Sequence, residues 1–253
     1  MPKVWAMEMG VAEVARTLLN GRLAGALRCD GSGEALAVCH ATDCTGRPMV
    51  LVRDGDDLAR ALLWRTAAGD PLAVLTVPDD PPVLGAPSRG RASVAGRLRR
   101  VPDPELRTAR IEFAEANPVP ALFDVGAGAA LYRIDIEEIR LHAPGEHHLI
   151  DADDYIAADP DPLHVVERDI LLDLADHHSP EMEGYFRAML AAAGIGCPQP
   201  PRAVRLDRYG FVVHVGGPDP TIRLEFPVPV RDEQDLAHLL HPVLFHGSLH
   251  GAE

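Results

Sequence analysis

The chain has 253 residues, enough for one large domain or two small ones. Its composition, with 47% hydrophobic and 25% charged residues, is ordinary for a globular protein. Its net charge of −14 argues against nucleic acids and anionic membranes as partners, because both require a large basic surface. No run approaches the length of a membrane span, no secretory signal is visible, and four cysteines do not make a disulfide scaffold, so we expect a cytoplasmic protein.

The first 150 residues alternate short strands with short helices. The helical pattern of apolar residues predicts helices over Val11–Leu19, 56–67 and 104–116. Alternating apolar residues bounded by turn formers predict strands over 23–28, 35–41, 49–53, 72–77, 90–100 and 130–141. Such a set of antiparallel strands can close into a small barrel, and we assign residues 1–150 to this first domain.

A segment rich in proline, glycine and acids follows the last of these strands. Residues 143–162 contain three prolines and a glycine, which predicts a linker. We assign residues 160–253 to a second, C-terminal domain.

The second domain begins with two predicted helices. Pro162 can open the first, whose apolar residues recur at spacings of three and four from Leu163 onward. Ser179 can cap the second helix, with Pro180 in its first turn. This part of the chain is therefore predicted to be a helical pair.

A three-stranded antiparallel meander and a last helix follow the helical pair. Alternating apolar residues mark the strands, and Asp207-Arg208-Tyr209-Gly210 favours a turn between the first two. Asp232 can cap the final helix, whose apolar stripe runs from Leu236 to Leu244.

This order of elements resembles a known family. The helical pair, then Asp207-Arg208-Tyr209-Gly210-Phe211, then Ile222-Arg223-Leu224-Glu225-Phe226-Pro227 and a final helix, is similar to the C-terminal, DUF2470-type domain of haem-utilisation (HugZ-type) proteins. That branch belongs to the split-barrel superfamily that includes pyridoxamine-phosphate oxidase. The resemblance implies an α+β fold, with an FMN-binding-type split β-barrel followed by a small helix-meander-helix domain. It also implies a homodimer that binds a tetrapyrrole or a flavin.

Four arginines on one predicted strand are the first candidate ligand residues. Side chains at every second position of a strand share one face, so Arg89, Arg91, Arg97 and Arg99 would point together. Arginine binds phosphate and carboxylate through its bidentate fork, which suits a flavin phosphate or a haem propionate. The alternative is a solvated face paired with nearby acids.

Histidines near the C-terminus are the second candidates. The resemblance implies that a histidine of the C-terminal tail can ligate haem iron, and it makes His246 or His250 the candidate. The family's His-x-x-x-x-His pattern is only half present, because Asp173 stands in the first place and His178 in the second. The alternatives are a solvated tail and, for His178, a hydrogen-bonded residue at a helix end.

Signals for zinc and for flavin are weaker. Cys29, Cys39, His40 and Cys44 include no spaced Cys-x-x-Cys pair, which favours structural thiols. The predicted helix after the third strand begins with Asp56-Asp57, which would repel a flavin phosphate. Arg53, Arg60, Arg65 and Thr66 are partial substitutes for the usual phosphate ligands.

Three functions remain open from the sequence. The first is a haem-binding protein of the haem-utilisation type, with or without haem degradation. The second is an FMN-dependent oxidoreductase of the pyridoxamine-phosphate-oxidase-like class. The third is a scaffold or regulatory protein that keeps the fold without a cofactor. No sequence motif assigns catalytic residues.

Overall fold

The computed structural model describes residues 8–30, 34–63, 69–217 and 220–246, which form two compact units. The barrel unit comprises Gly10–Asp80 and Ser88–Pro160. The C-terminal unit comprises the described residues from Asp161 onward, together with Pro81–Pro87 and residues 8 and 9.

Up to Ala143, the barrel unit contains strands and helices close to those expected. In chain order its elements are α1 (Val11–Leu19), β1 (Gly25–Cys29), β2 (Leu36–Thr42), β3 (Pro48–Arg53), α2 (Asp57–Leu63), β4 (Leu72–Pro78), β5 (Arg91–Arg100), α3 (Leu106–Ala116), β6 (Ala129–Ala143), β7 (Glu146–Ile150) and α4 (Ala152–Ala157). The 3₁₀ segments Asp103–Glu105 and Pro120–Asp124 flank α3.

A long strand closes the barrel. The sheet order is β3-β2-β1-β4-β5-β6-β7 with antiparallel pairing, and β3 also pairs with β6, so β1 to β6 form a closed ring. Along one edge of β6, residues 129–133 pair with β3 and residues 139–143 pair with β7. Its other edge pairs with β5, with a bulge at Ala95/Gly96. A Cβ at Gly96 would lie 1.9 Å from the backbone carbonyl oxygen of Asp135, so this position has no room for a side chain.

Strand β3 is buried on both faces. Val50 and Val52 belong to the cluster inside the barrel with Leu75, whereas Met49 and Leu51 pack outside it with Phe113 of α3. This explains why β3 reads as a continuous apolar run instead of an alternating one.

The predicted linker over 143–162 is wrong. Residues 146–150 form β7, and Gly145, with φ of 82°, lies in the tight turn that joins it to β6. Asp151 caps α4, its side chain accepting a hydrogen bond from the Asp153 backbone N–H at 2.9 Å. The glycine and acids that suggested a linker therefore belong to a hairpin turn and a helix cap.

The C-terminal unit has the expected order of helices and strands. Its elements are α5 (Glu167–His177), α6 (Ser179–Ala192), β8 (Arg202–Asp207), β9 (Gly210–His214), β10 (Thr221–Glu225) and α7 (Glu233–His246), with sheet order β10-β9-β8. Asp232 caps α7 as predicted, accepting from the Asp235 N–H at 2.8 Å. The predicted α+β fold class, a split barrel followed by a helix-meander-helix unit, is confirmed.

Two helix starts differ from expectation. Helix α5 begins at Glu167 instead of Pro162. The Asp161 carboxylate accepts hydrogen bonds from the backbone N–H groups of Leu163 and Arg208, and residues 162–166 form turns. Ser179 does not cap α6: His178 occupies the N-cap position, without a side-chain cap hydrogen bond.

A buried ion pair joins α5 to the meander. Glu167 and Arg205 are each 2% exposed, and their side chains meet at 3.2 Å. The second Glu167 oxygen accepts the Leu206 backbone N–H at 3.0 Å, and Arg205 Nε donates to the Pro87 carbonyl at 2.9 Å. With their polar atoms satisfied in this way, both charges can remain in the interior.

The barrel also encloses a histidine. His40 of β2 is 1% exposed, and neither of its ring nitrogens has a hydrogen-bond partner among the described residues. Gly25 makes room for the ring, since a Cβ there would lie 2.7 Å from Nδ1. Burial disfavours the charged imidazolium and lowers the pKa of His40 from 6.5 to about 4.

We expect His40 to make the protein sensitive to acid. Above pH 6.5 the imidazole is neutral in both states; below it only the unfolded chain binds the proton, so stability falls until the folded-state pKa near 4 is reached. At pH 4 the loss is about 3 kcal/mol. Urea unfolding at pH 7 and pH 4 should show this extra loss in the wild type and not in His40→Leu; equal losses would contradict it.

Candidate functional site

The arginines of β5 share a face, as alternation predicts. Ala92, Val94 and Leu98 are buried inside the barrel, whereas Arg91, Arg97 and Arg99 are exposed. Arg89 precedes the strand, and its backbone N–H donates to Asp79 Oδ2 at 2.8 Å. The structure therefore places three of the four candidate arginines on one outward surface of the barrel unit.

Acidic side chains meet two of these arginines. Arg97 Nε lies 3.3 Å from Glu137, and Arg99 lies 2.8 Å from Asp70 and 3.1 Å from Asp135. All of these groups are about half exposed, so the pairs are weak and can exchange for another anion. The side chain of Arg91 forms no ion pair or hydrogen bond with any described residue.

His178 lies at the junction between α5 and α6. Its backbone N–H donates to the Leu174 carbonyl at 3.2 Å and so ends α5. Its ring stacks edge-on with Phe245 of α7, with centroids 6.3 Å apart, and His241 lies 5.0 Å from the same phenyl ring. The rings of His178 and of His241, which is itself on α7, thus both contact Phe245 near the end of that helix. The Phe245 side chain is 65% exposed.

The two candidate iron ligands follow Phe245. His246 is the last residue of α7, and His250 lies outside the described residues. The structure therefore places the His178 ring near the end of the helix whose last residue is His246, within one unit. Asp173, which the sequence comparison placed opposite a histidine of the resembled pattern, pairs with His177 at 3.1 Å.

A cavity of about 500 Å³ lies on the barrel between β2, β3 and α2. It adjoins α2, the helix at which a flavin phosphate would be expected to bind. Arg53 Nε lies 3.4 Å from Asp56, and Arg60 pairs with Asp57; both pairs are exposed and can exchange, but the two carboxylates would stay beside any bound phosphate. Arg65 and Thr66 lie outside the described residues. Repulsion by these carboxylates disfavours a phosphate at the described part of this rim.

The cysteines and His40 do not converge. Cys39 lines the cavity of the barrel unit while His40 points into the barrel, as expected for neighbours on a strand. Burial raises the pKa of the Cys39 thiol, which keeps it protonated. Within the part of the chain that the structure describes, no group of three or more His, Cys, Asp or Glu residues could hold a metal ion.

Two features escaped the sequence reasoning. His142 of β6 and His147 of β7 are opposite each other, with their Nδ1 atoms 2.9 Å apart. Burial and the nearby Arg91 lower the pKa of His142, so a neutral ring can share a proton with its neighbour. The second feature is an apolar groove along α3. Both depend on strand register or helix orientation, which local periodicity does not report.

Comparison with known proteins gives a fold. No family model matches the chain, and no curated protein matches it. The solved structure of a haem-binding protein from Mycobacterium smegmatis superposes with a TM-score of 0.69 at 20% identity, covering 96% of this chain and 99% of its own. The chain has a split-barrel fold.

Two further solved structures superpose less well. ChuZ from Campylobacter jejuni covers 62% of this chain and 68% of its own at 10% identity, with a TM-score of 0.43. A general-stress-protein-26-related protein of the pyridoxinephosphate oxidase family, from Clostridium acetobutylicum, covers 55% and 92% at 10% identity, with a TM-score of 0.38. Scores this low add nothing to the first comparison. Among the described residues, no helix is both long and apolar enough to span a bilayer.

We expect the exposed arginines of β5 to be dispensable for stability. Arg97→Gln and Arg99→Gln should each change the free energy of unfolding by less than about 1 kcal/mol, because their ion pairs are solvated. The matched control is Arg133→Gln on β6, whose 11%-exposed side chain lies 3.2 Å from Asp43 and 2.7 Å from Glu105; it should cost about 3 kcal/mol. Urea unfolding measures all three, and a large loss in the β5 variants would show that these arginines are structural.

Proposed function

We propose that this protein binds haem, with the iron held by His246 or His250; the exposed arginines of β5 are proposed separately as a carboxylate-binding surface of the barrel unit. The observation that carries the proposal is the superposition on the Mycobacterium smegmatis haem-binding protein, which extends over nearly the full length of both chains. At 20% identity that similarity supports the fold alone, so the argument for the ligand rests on this chain's own residues.

The end of α7 has groups that suit a tetrapyrrole. Neutral imidazole is a normal axial ligand of haem iron, and His246 ends the helix there. Phe245 offers an exposed aromatic face beside His178 and His241. Haem bound through an imidazole would supply an iron centre and a strong Soret absorption band, while the aromatic and imidazole side chains would cover part of its apolar surface.

The exposed arginines of β5 suit carboxylates. The Arg91 side chain has no acidic partner among the described residues, so its fork is available for a carboxylate. Arg97 and Arg99 would have to exchange solvated partners, which costs little. We therefore expect Arg91 to contribute most to carboxylate binding on the barrel unit and Arg89 least, because Arg89 lies outside the strand.

A flavin is the second candidate, supported by the cavity beside α2. A phosphate would have to displace Asp56 and Asp57 from their arginines at the start of the helix, where a carboxylate already occupies the end that favours an anion. This electrostatic conflict is why haem ranks above FMN here. A homodimer, expected from the family resemblance, remains a prediction that sedimentation equilibrium would check.

Titration of the purified full-length protein with haem tests the proposal. We expect a saturable Soret shift at one haem per chain, lost in the double variant His246→Ala/His250→Ala and weakened in His178→Ala. The matched control is His238→Ala, an exposed histidine elsewhere on α7 that should bind haem as the wild type does. Adding a reductant to the complex under air would show whether the haem is also degraded.

Other results would redirect the assignment. Saturable FMN binding with no Soret shift would move the function to the flavin class. No saturable spectral change with either haem or FMN would overturn both proposals and favour a scaffold or regulatory protein. A haem shift that survives the double histidine variant would retain haem binding but reject the assigned iron ligands.

A further inference from the structure

Helix α3 turns an apolar side chain towards solvent. Ala109 and Phe113 are fully buried against the barrel, as one face of an amphipathic helix should be. Ile111, on another face, is 55% exposed. This residue contributes nothing to the buried cluster beneath α3, and it is available for a ligand.

The segment after α3 forms a second wall. Leu122 is buried in the cluster beneath the helix, whereas the adjacent Phe123 is 84% exposed. Helix and segment together enclose a groove of about 760 Å³, within the size range of small-molecule sites. Its apolar lining comes from Leu106, Ile111, Ala114, Val119, Leu122 and Phe123.

Two arginines lie along this groove. Arg107 and Arg110 are three positions apart, hence neighbours on the helix surface, and both line the groove. Neither guanidinium forms an ion pair or hydrogen bond with any described residue. Asp103 also lines the groove, so its charged residues sum to a single positive charge. In a chain of net charge −14, an apolar groove with excess positive charge selects for an anion.

We propose that the α3 groove binds an amphipathic small-molecule carboxylate, of the fatty-acid class, with the acyl chain between Ile111 and Phe123 and the carboxylate on Arg107 and Arg110. The apolar walls account for the chain, and the unpaired guanidiniums account for the head group. This inference is independent of the haem proposal, which uses residues of other elements.

A second copy of the chain fits the groove less well. In a two-fold symmetric contact the same patch meets itself, which would gather four arginines and only two aspartates in one interface. Like charges placed opposite each other oppose association. A small anion instead neutralises the two arginines and covers the exposed phenyl and isoleucine side chains.

Calorimetric titration with decanoate, below its micelle concentration, tests the proposal on the haem-free full-length protein. We expect one site per chain, with affinity reduced about tenfold or more in Arg107→Gln/Arg110→Gln, because a charge-assisted hydrogen bond is lost. Decan-1-ol should bind wild type and double variant equally, since it lacks the charge. The matched control Arg28→Gln changes an exposed arginine on β1 and should leave decanoate binding unchanged.

Phe123→Ser separates the chain-binding role from folding. Its side chain is exposed, so the thermal unfolding midpoint should stay near the wild-type value while binding of both decanoate and decan-1-ol weakens. Equal decanoate affinity in wild type and the double arginine variant would overturn the proposal. So would a change of oligomeric state in Phe123→Ser without any loss of decanoate binding, which would assign the groove to a second copy. Neither result depends on the Soret titration.

Discussion

The barrel depends on one strand forming hydrogen-bonded ladders on both of its edges. Strand β6 has 15 residues, long enough to pair with β5 on one side and with β3 and β7 in succession on the other. Pairing with β3 closes the ring, and closure removes the open edges that an antiparallel sheet would otherwise expose. The extra length supports the hairpin to β7, and α4 follows that strand. Every candidate arginine of β5 is oriented by its ladder to this strand.

The C-terminal unit is organised by buried charge as well as by apolar packing. Its core contains Phe186, Phe211 and Phe226 in edge-to-face contacts, yet Glu167 and Arg205 lie at the same depth. A buried pair of this kind adds little net stability. Removing either partner is nevertheless strongly destabilising, because the remaining charge is left buried and unpaired. The pair therefore fixes how α5 meets β8, and through α5 it fixes the position of His178.

Much of the fold could be predicted because periodicity and turn residues report local structure directly. The strands and helices up to Ala143, the meander and the cap at Asp232 followed from such signals. Strand β7 and helix α4 did not, since glycine and acids look alike in a linker, a hairpin and a helix cap. The α3 groove was equally hidden: Ile111 and Phe113 are both apolar, and only the orientation of the helix on the barrel makes one exposed and the other buried. The acids that meet Arg97 and Arg99 depend on strand register in the same way.

The end of the sheet has a consequence for how the sequence can change. Strand β7 is last in the sheet order, so its outer edge meets no further strand among the described residues. It is five residues long and carries Glu146, His147 and His148, a short polar edge of the kind that discourages pairing with another chain. Leu149, 72% exposed, already departs from this pattern. Substitution of these polar residues by β-branched apolar ones would therefore make β7 a template for aggregation.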